Sequence, residues 1–121
     1  MAAPKTDSNC ESFRLALDVL VRPWAALVLN LLQAGPLRFS ELSAAAQGPG
    51  DKVLSQRLKE LEARSLLVRR VEPGPPLRVS YELTPQGRAF NDVAAAIERW
   101  GRCLAAAPKK RPTARRAARS A

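Results

Sequence analysis

The chain has 121 residues, of which 46% are hydrophobic and only 5% aromatic, and its formal net charge is +9. This length allows one domain with a modest core, which we expect to consist mainly of Leu, Val and Ala. No apolar stretch approaches the roughly 20 residues that cross a bilayer, and no hydrophobic segment follows a basic patch at the N-terminus. These features predict a cytoplasmic protein with no membrane partner and no secretory signal.

Groups that commonly carry catalysis or bind metals are scarce. The chain has no histidine, its two cysteines do not form a Cys-x-x-Cys pair, and no Gly-rich phosphate loop occurs. Paired carboxylates in a plausible cleft pattern are also missing from the sequence. We therefore predict neither an enzyme, nor a metal site, nor a cofactor.

Two amphipathic helices are predicted before Gly35-Pro36, after a flexible N-terminus of residues 1–9. The apolar stripe of the first is formed by Phe13, Ala16, Leu17, Leu20 and Val21. Pro23 suits the first turn of the second helix, because proline at that position loses no intrahelical hydrogen bond. The stripe of the second helix is formed by Trp24, Leu27, Val28, Leu31 and Leu32. Both stripes predict core helices.

A helix, a tight turn and another helix follow. The apolar face of the shorter helix, residues 38–47, is formed by Phe39, Leu42, Ala45 and Ala46. Gly48-Pro49-Gly50 interrupts it, because Gly reaches backbone angles that other residues avoid and Pro lacks the amide donor. Asp51 can then cap the next helix through its carboxylate. This order is typical of a helix-turn-helix.

The second helix of this pair has one polar face. Leu54, Leu58 and Leu61 repeat at helical spacing and should face the core. The opposite side is formed by Lys52, Ser55, Gln56 and Lys59. Lys can contact phosphate or guanine edges and Gln can pair with an adenine edge, so these residue types suit a major groove. The same pattern is also typical of a solvated helix face.

A hairpin with a Pro-rich loop is predicted after the helix pair. Residues 66–72 form its first strand, residues 73–76 its loop, and the alternating residues Leu77, Val79, Tyr81 and Leu83 mark its second strand. Two strands alone are marginally stable, so the helices must cover their apolar face. The hairpin is then a wing, on which Arg69, Arg70 and Arg78 could grip phosphates or probe a minor groove.

A last helix begins at Thr84-Pro85, where a capping residue precedes proline. Its apolar stripe is formed by Phe90, Val93, Ala94, Ile97, Trp100 and Leu104. In so small a domain this helix lacks an obvious partner, so we expect it to pack, with the first helix, against a second subunit. The residues predicted for this homodimer interface are Phe13, Leu17, Val93, Ile97, Trp100 and Leu104. The alternative is that the helix folds back on its own core.

Residues 105–121 form a basic tail. Six lysines and arginines and no acidic residue follow Leu104, so +6 of the net charge lies there. A segment of Ala, Pro, Lys and Arg cannot bury enough apolar surface to order itself. We expect a disordered electrostatic arm on phosphate, or else a solubilising extension.

The matching strings of residues 10–104 resemble the HxlR family of bacterial winged-helix transcriptional regulators. They comprise residues 17–20, Trp24, residues 35–42 and 52–62, Pro76, residues 78–84, Gly87-Arg88 and Trp100-Gly101. The match is gapless and in the expected order. Family members usually read Gly-Gly-Lys-Trp where this chain has Val21-Arg22-Pro23-Trp24, and Asp-Gly-Leu where it has Ser65-Leu66-Leu67.

The resemblance implies a homodimer that binds an operator in double-stranded DNA and responds to a small-molecule or oxidant effector. It places Arg38, Lys52, Ser55, Gln56 and Lys59 in the DNA-facing part and Arg78 on the wing. It also implies a candidate redox sensor at Cys10, where many relatives carry a cysteine. Neighbouring acidic residues oppose thiolate formation and a helix N-terminus favours it, so an inert thiol is the alternative.

The predicted fold is α+β and mainly α, a winged helix-turn-helix with flanking N- and C-terminal dimerisation helices. The predicted function is sequence-specific, repressor-type regulation of transcription by a homodimer on an inverted-repeat operator, in the cytoplasm on the nucleoid. One alternative is an architectural, nucleoid-type protein that coats DNA with little sequence preference. Another is a winged-helix module used only for protein contacts.

Overall fold

A computed structural model describes the backbone of residues 3–108 and the surroundings of side chains from Cys10 onward. In chain order its elements are α1 (Ala3–Leu20), α2 (Ala25–Leu31), a 3-10 turn (Leu32–Ala34), β1 (Leu37–Arg38), α3 (Phe39–Ala46), α4 (Asp51–Ala63), β2 (Leu67–Glu72), β3 (Arg78–Leu83), α5 (Pro85–Arg88) and α6 (Phe90–Ala106). The chain divides after Asn91 into two compact units. The predicted disorder of the basic tail from Lys109 onward lies outside the described residues.

The core of the first unit is aliphatic, as the composition predicts. Its fully buried members come from α2, the 3-10 turn, α3, α4, β2 and β3, and they include Val28, Leu29, Leu32, Leu42, Leu54, Leu58, Leu61, Leu67 and Leu83. Tyr81 and Phe90 pack against this core while remaining half-buried. Burial of a leucine side chain contributes roughly 1.5–3 kcal/mol, so this cluster of leucines dominates the stability of the unit.

Helix α1 begins at Ala3, well ahead of the stripe that predicts it. The core position expected for Phe13 and Leu17 is wrong, because both side chains are exposed, and burial starts only at Val19 and Leu20. The flexibility of residues 1–9 stays a prediction, and Met1 and Ala2 lie outside the described residues. Helix α1 therefore presents apolar side chains that the rest of the first unit does not cover.

Helix α2 starts later than the sequence predicts. Trp24 has a left-handed backbone conformation with a φ of 71°, so Pro23 and Trp24 form a turn before the helix rather than its first residues. The buried stripe of α2 therefore differs from the predicted one. It consists of Ala25, Val28, Leu29 and Leu32, whereas Leu27 and Leu31 are half-buried and Trp24 is exposed.

A three-stranded antiparallel sheet replaces the predicted two-stranded hairpin. Its strand order is β1-β3-β2, and the additional strand β1 contains only Leu37 and Arg38, which pair with Tyr81 and Ser80. Strands β2 and β3 pair over their whole length, from Leu67 opposite Leu83 at one end. Leu77 lies in the loop and is exposed, so β3 begins one residue later than predicted, and Val79, Ser80, Tyr81 and Glu82 are all half-buried before the buried Leu83.

The predicted C-terminal helix is interrupted near its start. Thr84 caps the short helix α5, and its Oγ1 accepts a hydrogen bond from the Gly87 amide at 3.0 Å, as the Thr-Pro pair predicts. A Cβ at Gly87 would collide with the Leu66 carbonyl oxygen, so glycine permits the close approach of α5 to the start of β2. Helix α6 then begins separately at Phe90.

Within residues 3–108 no single helix is both long enough and apolar enough to cross a membrane. The segments Cys10–Leu20 and Ala25–Ala34 meet both criteria only when they are taken together, by length and composition, and the chain bends by 82° between them.

Candidate DNA-binding surface

Helices α3 and α4 and the turn between them form a helix-turn-helix. The Trp24 ring lies against Gly48 of this turn, where a Cβ would collide with the indole. Ser43 Oγ on α3 lies 3.5 Å from Asp51 Oδ1 at the start of α4. Asp51 is the first helical residue and Gly50 occupies the capping position, so the predicted cap at Asp51 is wrong. The Asp51 carboxylate instead lies in the first turn, where negative charge favours the helix dipole.

Helix α4 separates an apolar face from a polar one, as its spacing predicts. Leu54, Leu58 and Leu61 are at most 2% exposed, which anchors the helix on the core. Lys52, Gln56 and Lys59 are exposed on the outer side, and Ser55 is half-buried beside them. A helix held in this way can offer two ammonium groups, an amide and a hydroxyl to a major groove without moving its backbone.

A buried arginine on α4 is missing from the sequence prediction. Arg57 is 8% exposed, and its Nε donates a hydrogen bond to the Pro23 carbonyl oxygen at 2.9 Å. Its position was available from the spacing, because residue 57 falls between Leu54, Leu58 and Leu61 on the apolar stripe. A charged side chain within such a stripe indicates a specific buried partner, since an unpaired buried charge is costly.

Glu60 gathers the cationic groups around Arg57. Its Oε1 accepts from Arg57 Nη1 at 3.1 Å, and its Oε2 accepts from Arg22 Nη2 at 2.9 Å. The hydrogen bond from Arg22 lowers the pKa of the Glu60 carboxyl, and the charges of both arginines act in the same direction against desolvation. The same hydrogen bond raises the pKa of Arg22. Glu60 is therefore charged at neutral pH and fixed between the α1–α2 linker and α4.

The outer face of the sheet brings three sequence-predicted arginines together. Arg38 on β1 and Arg70 on β2 are both partners of Ser80 on β3, so the three residues form a row across the sheet. Arg78 lies two residues from Ser80 on the same strand and therefore shares that face. Arg69 stands opposite Tyr81 on the other face of the sheet.

Arg70 already has an anionic partner. Its Nε donates to Glu82 Oε1, and Arg88 Nη2 lies 3.7 Å from the other oxygen of that carboxylate. The Arg70 side chain is 62% exposed. Exposed pairs of this kind contribute about 0–1 kcal/mol, so a phosphate could compete for Arg70 at little cost.

The remaining predicted sites are exposed as well. Cys10 on α1 and Cys103 on α6 are free thiols. Cys10 lies well after the start of α1 at Ala3, so the helix N-terminus expected beside this thiol is wrong. In the second unit, helix α6 exposes the predicted interface residues Val93, Ile97, Trp100 and Leu104, with Trp100 at 65%.

Known proteins share this architecture and much of the sequence. Residues 19–108 match the family model described as HxlR-like helix-turn-helix. The HTH-type transcriptional regulator YvaP of Bacillus subtilis (strain 168) is 41% identical over 91 residues, which cover 75% of this chain and 84% of YvaP. The chain belongs to the HxlR-like helix-turn-helix family.

Solved structures of similar proteins agree with the fold. The reduced form of the transcriptional regulator YodB from B. subtilis superposes with a TM-score of 0.69 at 34% identity, covering 74% of this chain and 87% of that one. The redox regulator HypR in its reduced form superposes with a TM-score of 0.74 at 26% identity, covering 78% and 94%.

Membership in the HxlR-like family decides the general activity of the chain. It is a DNA-binding transcriptional regulator with a winged helix-turn-helix, as the sequence predicts. The family consists of transcriptional regulators, which are not enzymes. Helix α4 is accordingly the candidate recognition helix, and the β2–β3 hairpin is the candidate wing.

Proposed function

We propose that the protein acts as a homodimeric, repressor-type regulator on an inverted-repeat operator. The observation that carries this proposal is the recognition helix α4, which is anchored by three buried leucines and exposes Lys52, Gln56 and Lys59 on its outer face. A rigid helix with these groups can read base edges in a major groove. Its partner is then double-stranded DNA in the cytoplasm, on the nucleoid.

Each predicted contact has a distinct role in this proposal. Gln56 pairs with an adenine edge, and Lys52 and Lys59 contact guanine edges or phosphates beside Ser55. The row of Arg38, Ser80 and Arg70 and the neighbouring Arg78 contact phosphates, which positions the wing without reading sequence. Specificity therefore belongs to α4 and affinity largely to the sheet.

The homodimer is supported by apolar side chains that neither unit covers by itself. Phe13 on α1 is 66% exposed and Trp100 on α6 is 65% exposed, and Leu17, Val93, Ile97 and Leu104 on the same two helices are exposed too. A monomer seldom exposes such stripes to water, so a second copy is the expected occupant. A two-fold dimer places two recognition helices about 34 Å apart, which predicts an inverted repeat.

Selection of bound duplexes from fragmented genomic DNA, by wild type and by Lys52→Ala and Gln56→Ala, tests this function. Wild type should enrich an inverted repeat and bind it at least about a thousandfold more tightly than random duplex, and each variant should lower that ratio. A promoter carrying the site should then be silenced by the protein. Equal binding to operator and random duplex would instead establish an architectural, DNA-coating protein, and variants that lose DNA binding yet keep full regulatory function would indicate a module for protein contacts.

Oxidant sensing through Cys10 stays a prediction. It is supported by the exposed free thiol on α1 and by YodB, of which quinone-bound and diamide-treated crystal structures are solved. Operator affinity measured before and after oxidant, for wild type and Cys10→Ser, decides the question. Sensing requires a change that only wild type shows; equal responses of the two proteins would mean that Cys10 is an inert thiol.

A further inference from the structure

We propose that Glu60 is a positioning residue for Gln56 and thereby determines which base the recognition helix prefers at one operator position. This inference rests on the proposed function, because it requires Gln56 to contact a base. Gln56 Nε2 donates a hydrogen bond to Glu60 Oε2 at 3.4 Å, one helical turn further along α4. The amide of Gln56 is thus tied to a fixed carboxylate.

The direction of this hydrogen bond orients the amide. An ionised carboxylate only accepts hydrogen bonds, so the Gln56 side chain must turn its NH2 group, and not its carbonyl oxygen, toward Glu60. One N–H and the Oε1 of Gln56 then remain for the DNA. Adenine offers N7 as an acceptor and N6 as a donor in the major groove, which matches this remaining pair.

Glu60 can hold this orientation because its own carboxylate is fixed on both oxygens. Oε2 also accepts from Arg22 Nη2 at 2.9 Å, and Oε1 accepts from Arg22 Nε at 3.3 Å and from Arg57 Nη1 at 3.1 Å. Arg57 is in turn buried and bonded to the Pro23 carbonyl. The segment Arg22–Pro23 is thereby connected through Glu60 to the amide that reads the base.

Orientation before binding favours both affinity and specificity. A free glutamine samples several rotamers and both orientations of its amide, and ordering it on DNA costs conformational entropy. A glutamine already turned by Glu60 loses less entropy and presents one donor–acceptor pattern. Without Glu60, the Gln56 amide can also turn its carbonyl oxygen toward the adenine N7 acceptor, which requires a donor. This second orientation matches other base pairs, so the preference for A·T falls.

The test begins with selection of duplexes from a random library by the full-length protein. The operator position of interest is the one at which Gln56→Ala loses base preference. Duplexes with each of the four base pairs at this position then compete for binding. The variants are Glu60→Gln, which keeps the shape but can also donate, and Arg22→Met, whose side chain is 48% exposed and whose loss spares the core. Glu62→Gln, an exposed carboxylate on the same helix, is the matched control.

Wild type should prefer A·T there by about tenfold, and Gln56→Ala should abolish the preference. Glu60→Gln should reduce it by about fivefold and Arg22→Met by about twofold, with the other positions unchanged. Glu62→Gln should match wild type, and adding Glu60→Gln to Gln56→Ala should change nothing at that position. Arg22→Met decides the matter alone if Glu60→Gln fails to fold.

Three results would overturn the inference while leaving sequence-specific binding intact. The first is an undiminished preference for A·T in the Glu60 and Arg22 variants. The second is an equal loss of base preference at every operator position in these variants, and the third is a selected motif that Gln56→Ala leaves unchanged. Failure of wild type to enrich any motif would instead remove the proposed function, and the inference with it.

Discussion

Arg57 Nε on the recognition helix donates a hydrogen bond to the Pro23 carbonyl oxygen 34 residues earlier in the chain, at 2.9 Å. This contact joins α4 to the linker between α1 and α2. Because Phe13 and Leu17 of the proposed dimer interface lie on α1, the linker connects this part of the interface with the candidate DNA-binding surface.

Arg57→Met should lower the free energy of unfolding by about 2 kcal/mol, because the Pro23 carbonyl and Glu60 lose a charged donor. Urea denaturation at one fixed protein concentration measures the change, since association also contributes to stability. Arg64→Met, at the exposed end of the same helix, is the control and should stay near wild type. Equal stability of the two variants would contradict a role for the buried contact.

Gly48→Ala should destabilise the fold by about 1–3 kcal/mol, since its Cβ collides with the Trp24 ring in the helix-turn-helix. Trp24 fluorescence in a Trp100→Phe background should change in this variant. The matched control is Gly50→Ala, where no atom lies within 4 Å of the added Cβ. In Gly50→Ala, alanine caps α4 less well than glycine, which destabilises the fold, but it also lowers the entropy of the unfolded chain, which stabilises the fold. We therefore expect a small net change in the free energy of unfolding. Similar midpoints for both variants would argue against the packing role.

Ile97→Glu should convert the proposed dimer to a monomer, because a carboxylate buried in an apolar interface loses its hydration. Sedimentation velocity at micromolar concentration should show the mass halved. Ala95→Glu adds the same charge to the same helix away from the stripe and should remain dimeric. A wild-type protein that already sediments as a monomer would refute the interface.

The stabilisation from Glu60 should depend on pH in one direction. Its pKa is lowered in the folded state by the hydrogen bond from Arg22, so the contribution is complete above the ordinary carboxyl pKa of about 4.3 and is lost as the pH falls through the lower folded value. Arg57 also faces this carboxylate, and Asp18 and Arg64 line the same cleft.

The measurement is the difference in unfolding free energy between wild type and Glu60→Gln as a function of pH. This difference should be constant from pH 7 to about 5 and shrink under more acidic conditions. Glu62→Gln provides the baseline for an exposed carboxylate. A difference that grows on acidification would have the wrong sign for a lowered pKa.

Removal of residues after Ala107 should make the salt dependence of DNA binding shallower. Six cations per subunit lie beyond this point, so the slope of log affinity against log salt should fall by up to about 5 for each tail whose six cations all contact phosphate. A full-length variant with these six residues changed to Gln separates charge from length and should behave like the truncation. An unchanged slope would indicate a solubilising extension.

Local sequence patterns were sufficient for much of the fold. The spacing of Leu54, Leu58 and Leu61 predicted the buried face of α4, and the alternation of Val79, Tyr81 and Leu83 predicted β3. Thr84-Pro85 predicted the cap of α5. These features depend on helix and strand periods and on capping chemistry, which act over a few residues.

Other features escaped prediction because their causes are distant in the chain. Strand β1 has two residues, too few to show a period, and exists because β3 offers it an edge. The start of α2 follows the left-handed backbone of Trp24, whose ring is placed by Gly48. The sequence predicts the polar face of α4, but it does not predict that Glu60 is the hydrogen-bond partner of Gln56.

Apolar periodicity in the sequence was sufficient to predict the winged helix-turn-helix and the outer face of α4, because it selects which side of each element is buried. The support of that face depends instead on contacts between distant segments of the chain. Arg22 meets Glu60 across 38 residues, and Arg57 meets Pro23 across 34. Such pairs form only after the core has brought the linker onto α4, since neither the direction nor the partner of a long charged side chain is contained in its local sequence.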